Sequence, residues 1–264
     1  MQKKWLSACV LSCISFFTDA YCIDNWACFE KIQNGLKLEY WLSNKQPYPI
    51  TSTLEVTTKN LKSDNATNSR YSETRVLGPL ARVRVLSLRP ISQNRPVRTY
   101  EDFFWTPGIQ NSVHNNAYRY ALPYAQNSSF RLVQGVNGSF SHQGASRYAF
   151  DFAMPEGTAV HAARDGQVID LQESHNKGGA SRRYAKYANF VTLLHDDGTT
   201  GDYYHLRKNG VAVSLGDHIK RRQLLGYSGN TGFSSLPHLH FAVYQAKSHG
   251  KYQSVPIKFE QDDN

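Results

Sequence analysis

Polar and apolar residues alternate along the first half of the chain. In LKLEYWL, Leu36, Leu38, Tyr40 and Leu42 alternate with Lys37, Glu39 and Trp41. In ITSTLEV, Ile50, Ser52, Leu54 and Val56 fall on one side. A period of two is the pattern of half-buried strands. The link SNKQPYP carries Pro and Asn, so the two runs predict a hairpin. LARVRVLSL and RTYEDFFWTPG add period-two segments, LKSDNATNSRYSE reads as a polar loop, and no long helical period appears. Residues 21–125 are therefore expected to form a small β-sandwich-like domain.

The second half, residues 126–264, has a different texture. FVTLL, GDYYHL, LLGYSG and HLHFAVY read as short strands separated by DDG, KNG and GNTG turns. PEGTAVHAARDGQVIDL reads as two strands around Asp165–Gly166. The whole chain is predicted to be mostly β, without internal repeats. Nine of its ten histidines lie in this half.

The N-terminus changes the cellular picture. MQKKWLSACVLSCISFFTDAYC has a basic start at Lys3 and Lys4, an apolar run from Trp5 to Phe17, and small residues at Thr18 and Ala20. This predicts a secretory signal peptide over residues 1–20. Its apolar run is short for a membrane span, so export to the periplasm or the medium is expected, without stable membrane insertion. Cys9 and Cys13 leave with the signal. Cys22 and Cys28 then form an even pair in an oxidising compartment, which predicts a disulfide. The net charge is +9. For an exported protein, an anionic polymer of the cell envelope is a better partner than nucleic acid.

The chemistry begins at PHLHF, residues 237–241. In a strand, His238 and His240 share a face. Upstream, SHQGASRYAFDFAMPEGT holds His142 and Asp151, and DYYHL holds His205. GYSGNTGFSS is glycine-rich but lacks the Lys of a phosphate-binding loop. A catalytic zinc takes three His or carboxylate ligands and keeps one position open. His142, Asp151 and one histidine of the pair satisfy that rule. Zinc lowers the pKa of water towards ~7 and polarises a carbonyl, and the remaining imidazoles are suited to proton handling and charge stabilisation.

Taken in order, His142…Asp151, YYHL and GNTGFSSLPHLHF resemble the lysostaphin/LytM-type zinc endopeptidases. DFAMPEGTAVHAARDGQV and VSLGDHIKRRQLLGYSGNTG extend the resemblance between them. The resemblance implies a LytM-type antiparallel β-sheet peptidase domain within residues 126–264. It implies His142, Asp151 and His240 as zinc ligands, with His205 and His238 as catalytic residues beside them. It also implies hydrolysis of the peptide cross-links of bacterial peptidoglycan. The alternative is a catalytically silent LytM-type module that binds the wall or activates another hydrolase.

Three features depart from the family's compact form. QGASRYAF lengthens the segment between His142 and Asp151. Arg222 stands where a turn glycine is usual, and ESHNKGGASRRYAKYANF is a basic insertion. His161 is explained by packing, and His195 sits at a strand end with a supporting role open to it. His114, His175, His218 and His249 are expected at the surface.

Overall fold

A computed structural model describes residues 18–260. The N-terminal strands are Thr18–Ile23 (β1), Ala27–Asn34 (β2), Lys37–Asn44 (β3), Ile50–Lys59 (β4), Leu61–Ser63 (β5), Arg70–Leu77 (β6), Arg82–Pro90 (β7) and Arg98–Pro107 (β8). They form two sheets, ordered β1-β2-β3-β7-β5 and β6-β4-β8. Tyr40, Leu42, Leu86 and Leu88 of the first sheet share one buried cluster with Ile50, Leu54, Val56 and Phe103 of the second.

The hairpin expected between LKLEYWL and ITSTLEV does not form. β3 pairs with β2 and β7, whereas β4 pairs with β6 and β8. The intervening segment crosses from sheet to sheet, because both strands bury their apolar sides in the same cluster from opposite walls. Buried Asn44 fixes the crossing. Its Nδ2 donates to the carbonyls of Tyr48 and Gly78, each at 2.8 Å, and its Oδ1 accepts from the Gln46 amide at 2.9 Å. The polar stretch 61–73 is also more ordered than its composition suggests: it contains β5 and the start of β6. Cys22 and Cys28 face each other across β1 and β2 and are joined by a disulfide. The signal segment lies outside the described residues except for 18–20, which open β1.

The C-terminal strands are Arg119–Tyr120 (β9), Leu132–Gln134 (β10), Phe150–Phe152 (β11), Ala159–His161 (β12), Gly166–Gln172 (β13), Gly178–Gly179 (β14), Phe190–Leu194 (β15), Thr200–Tyr204 (β16), Leu206–Val211 (β17), His218–Ile219 (β18), Leu224–Ser228 (β19), Gly232–Phe233 (β20), Leu239–Ala246 (β21), Tyr252–Ser254 (β22) and Lys258–Phe259 (β23). The largest sheet runs β10-β11-β21-β16-β15-β13-β18, with β22 also on β21. β12, β19 and β17 form a second sheet. The two strands around Asp165–Gly166 therefore belong to different sheets. KNG, expected as a turn, lies inside β17, where the register shifts and Asn209 has φ +51°.

Strand alternation gives the large sheet two unlike faces. Leu239, Phe241 and Val243 of β21 join Tyr203, Val191, Leu193 and Val168 in the core. His240, Ala242 and Tyr244 take the other face, as do Asp202 and Tyr204 of β16. A seam joins the two halves of the chain. Tyr48 Oη donates to the Ile169 carbonyl at 2.6 Å, and Thr106 Oγ1 donates to the Lys251 carbonyl at 3.2 Å. His249, expected at the surface, belongs to this seam: its amide donates to Thr53 Oγ1 and its Nε2 lies 3.1 Å from Glu55 Oε1.

Candidate metal centre

β11 and β21 are antiparallel neighbours, and their register sets Asp151 directly opposite His240. His142 arrives from the loop before the short 3-10 turn Gly144–Ser146. Its amide donates to the Gly138 carbonyl at 3.1 Å. The eight-residue segment between His142 and Asp151 is thus a compact turn that returns the chain to the sheet edge. Asp151 Oδ1 lies 3.1 Å from His142 Nε2 and 2.8 Å from His240 Nδ1, and the two ring nitrogens are 3.3 Å apart. The three donor atoms lie within 4.8 Å of one another.

A backbone hydrogen bond fixes the tautomer of His142. His142 Nδ1 faces the Gly135 carbonyl at 2.9 Å, a bond it makes only as the N–H donor, so Nε2 keeps its lone pair. His240 turns Nε2 towards Tyr244 Oη and points Nδ1 at the carboxylate. Two imidazole nitrogens and a carboxylate oxygen thus converge at a buried point. Such a set is repulsive in itself unless a cation or proton lies between, and it matches the His₂-carboxylate donors of a metal site. Burial alone raises the Asp151 carboxyl, but its close contacts with the His142 and His240 imidazoles outweigh it and hold the group well below the usual carboxylate range.

The other two predicted residues stand beside the trio. His205 and His238 have ring centroids 4.5 Å apart, and the His205 ring lies 6.0 Å from that of His240. His205 Nδ1 donates to the Thr231 carbonyl at 2.6 Å. His238 Nδ1 donates to the Leu236 carbonyl at 2.7 Å, and its Nε2 is 3.8 Å from Asp151 Oδ2. Each ring therefore turns a bare Nε2 away from its backbone anchor. Burial, reinforced by the neighbouring imidazoles His238 and His240, pushes His205 down to about 3, and burial also lowers His238.

Simple alternation does not put His205 here. Tyr203 faces the core and Tyr204 the open face, so a straight strand returns residue 205 to the core. Instead β16 stops at Tyr204, and His205 has φ +69°. That left-handed residue breaks the alternation and swings the imidazole to the open side. Thr231 and Asn189 hold the break in place. Thr231 Oγ1 and Asn189 Nδ2 both donate to the Leu206 carbonyl, and the Asn189 amide donates to Thr231 Oγ1.

Gln134 is a member that the sequence did not flag. Its Nε2 donates to Asp151 Oδ2 and to Ser141 Oγ, each at 2.8 Å, while its Oε1 accepts from the amides of Phe140 and Ser141. Gly138 is obligatory beneath it, because a Cβ there meets Gln134 Cγ at 2.0 Å. The glycine loop also has a steric task. A Cβ on Gly229 meets the Arg207 amide at 2.5 Å, next to His205. His161 and His195 are not part of the site. His161 lies on β12, and buried His195 anchors Nδ1 on the Asp165 carbonyl at 2.7 Å. The basic insertion 173–190 does reach the groove: Arg182, Ala185 and Ala188 line it beside His205 and His240.

Residues 145–254 match peptidase family M23. That range holds Asp151, His205, His238 and His240, with His142 just before it. An uncharacterised metalloprotease of Buchnera aphidicola is 37% identical over 148 residues, covering 55% of this chain and 35% of its own length. The glycyl-glycine endopeptidase ALE-1 of Staphylococcus capitis is 38% identical over 108 residues, covering 40% and 25%. The peptidoglycan DD-endopeptidase ShyA of Vibrio cholerae is 32% identical over 124 residues, covering 46% and 26%. The chain therefore spans about a third or less of the length of these relatives. Among solved structures, lysostaphin of Staphylococcus simulans is 28% identical and superposes with a TM-score of 0.35, covering 47% of each chain. The family match and these sequence relatives agree with the His-Asp-His trio: the C-terminal part of the chain is a peptidase family M23 domain, homologous to the lysostaphin/LytM-type peptidoglycan endopeptidases.

Proposed function

We propose that the protein is an exported zinc endopeptidase that hydrolyses peptide cross-links of bacterial peptidoglycan. The observation that carries this reading is the convergence of His142 Nε2, Asp151 Oδ1 and His240 Nδ1 at one buried point beside an open groove. These three residues are the zinc ligands in this reading. Zinc bound there supplies Lewis acidity, which activates water and polarises a peptide carbonyl.

The chain's own residues supply the rest. Gln134 orients the Asp151 carboxylate through Oδ2, leaving Oδ1 directed at the two imidazoles. The His205 and His238 rings, locked through Nδ1, present Nε2 to the groove as hydrogen-bond acceptors. Each is suited to orient a water, take its proton at Nε2, and return that proton to the departing amine. Phe140 and Phe233, stacked with centroids 5.1 Å apart, line the pocket beside Asp151, His205 and His238. The relatives that cleave glycyl-glycine or peptidoglycan DD bonds support a wall peptide as substrate. In the same reading residues 1–20 are the cleaved signal, 21–125 an N-terminal β domain and 126–264 the peptidase domain.

The test is metal content and muropeptide release for the purified mature protein beside His240→Ala. About one zinc per chain and opened cross-links in the wild type, both lost in the variant, are the expected results. A wild type that binds zinc but leaves sacculi intact sinks the peptidase reading in favour of a silent wall-binding module.

A further inference from the structure

The groove beside the metal centre holds a carboxylate that the chemistry above does not use. Asp202 lies on the open face of β16, in a cavity of about 240 Å³ also lined by Tyr204, His240, Tyr244 and Tyr252. Tyr204 pairs with His240 and Asp202 with Ala242. At about 3.4 Å per residue, Asp202 sits about 7 Å along the strand from the level of the metal ligands.

Its surroundings are incomplete in one specific way. Asp202 is only partly buried where it lines the groove. Its inner oxygen Oδ1 is shut off from water and makes no hydrogen bond, so a ligand would meet the carboxylate through Oδ2. A second carboxylate, Asp170, acts on it through space with the same sign. Among the described residues, no Lys or Arg forms an ion pair with either acid. Arg182 lines the same cavity, but its guanidinium lies over the Phe233 ring at 5.5 Å. Burial, with the Asp170 charge behind it, pushes Asp202 up to about 7. An uncompensated carboxylate on a groove floor walled by phenol rings is complementary to an ammonium group, through charge-assisted hydrogen bonding and cation–π attraction.

We infer that Asp202 is a specificity residue that receives a free amino group, as ammonium, of the peptide lodged in this groove. The inference rests on the groove being the substrate site proposed above. An extended peptide advances about 3.3–3.6 Å per residue, so the amine belongs to a residue within about two positions of the bond at the metal centre. A free side-chain amine on a diamino acid has this chemistry, and a bridge built only of glycine offers none within the chain.

The probe is a soluble dimeric muropeptide carrying one free side-chain amine, compared with the same dimer N-acetylated at that amine. Binding of each to the metal-free mature protein is measured by calorimetry, and cleavage by the zinc-loaded protein is measured separately. Acetylation is expected to weaken binding to the wild type about tenfold or more. Asp202→Asn, nearly isosteric, is expected to bind both dimers alike, at about the affinity the wild type has for the acetylated one. Equal binding of the two dimers by the wild type overturns the inference, as does discrimination that survives in Asp202→Asn. The two readings fail separately. Discrimination without cleavage removes the peptidase and leaves the amine site. Cleavage without discrimination does the reverse.

Discussion

At the scale of single residues, the site depends on groups that orient other groups. Gln134 touches only the far oxygen of Asp151. Supporting partners of this kind typically change metal affinity by about 10–100-fold when removed. Gln134→Leu is therefore expected to lower zinc retention by that factor in chelator competition, with little change in far-UV circular dichroism. Thr231 bridges Asn189 and the Leu206 carbonyl behind His205. Thr231→Val leaves both buried partners short of a bond. It should cost about 1–3 kcal/mol in urea unfolding and lower kcat more than KM. The five residues proposed as ligands and flanking histidines could be named from the sequence, through the histidine pair at i and i+2 and the resemblance to the family's ordered motifs. Gln134 was illegible. One glutamine in RLVQG has no spacing signal, and its role exists only once Gly138 lets the loop fold back over it.

At the scale of elements, the β15–β16 hairpin shows how a turn residue and a strand glycine depend on each other. His195 at the hairpin end is buried, with its Nε2 against Gly201. A Cβ at position 201 meets that nitrogen at 2.7 Å. Gly201→Ala is expected to lower stability by about 1–3 kcal/mol, read as a fall in the urea midpoint. The same burial makes His195 a pH-dependent weak point. Desolvation pushes it down to about 4, from 6.5 in an unfolded chain. Between those values the unfolded state binds the extra proton, so stability rises with pH across the window. Acidification from about 6.5 to about 4 should therefore remove stability on the order of 3 kcal/mol at most, and His195→Asn should flatten that part of the profile. Strand existence was legible from period-two patterns, but partnership was not. β3 and β4 look like the arms of one hairpin, yet they line opposite walls of one core, because alternation records which side is buried and not which strand lies alongside.

At the scale of the whole molecule, the two halves meet along a seam of specific bonds. Tyr48 on the N-terminal side reaches the Ile169 carbonyl of β13, and β13 also carries Asp170 on the groove face. Tyr48→Phe removes one buried bond at nearly constant volume. It is expected to cost about 0.5–1.5 kcal/mol, seen as a lowered unfolding midpoint with the zinc content unchanged. The sequence anticipated a basic, mostly β chain. It did not anticipate that His249, which looks like an ordinary surface residue in KSHGK, ties this seam through Glu55.

The left-handed backbone at position 205 sets stability and chemistry against each other. That conformation costs an ordinary side chain roughly 1–2 kcal/mol, and glycine takes it without steric cost. A library of variants screened only for survival on heating is expected to enrich His205→Gly and to return proteins that endure but no longer cleave. A library screened on cell-wall turnover should keep histidine at 205 and gather its gains elsewhere. Comparing the two sets of survivors would measure how much heat tolerance this chain forgoes in order to keep one imidazole turned outward.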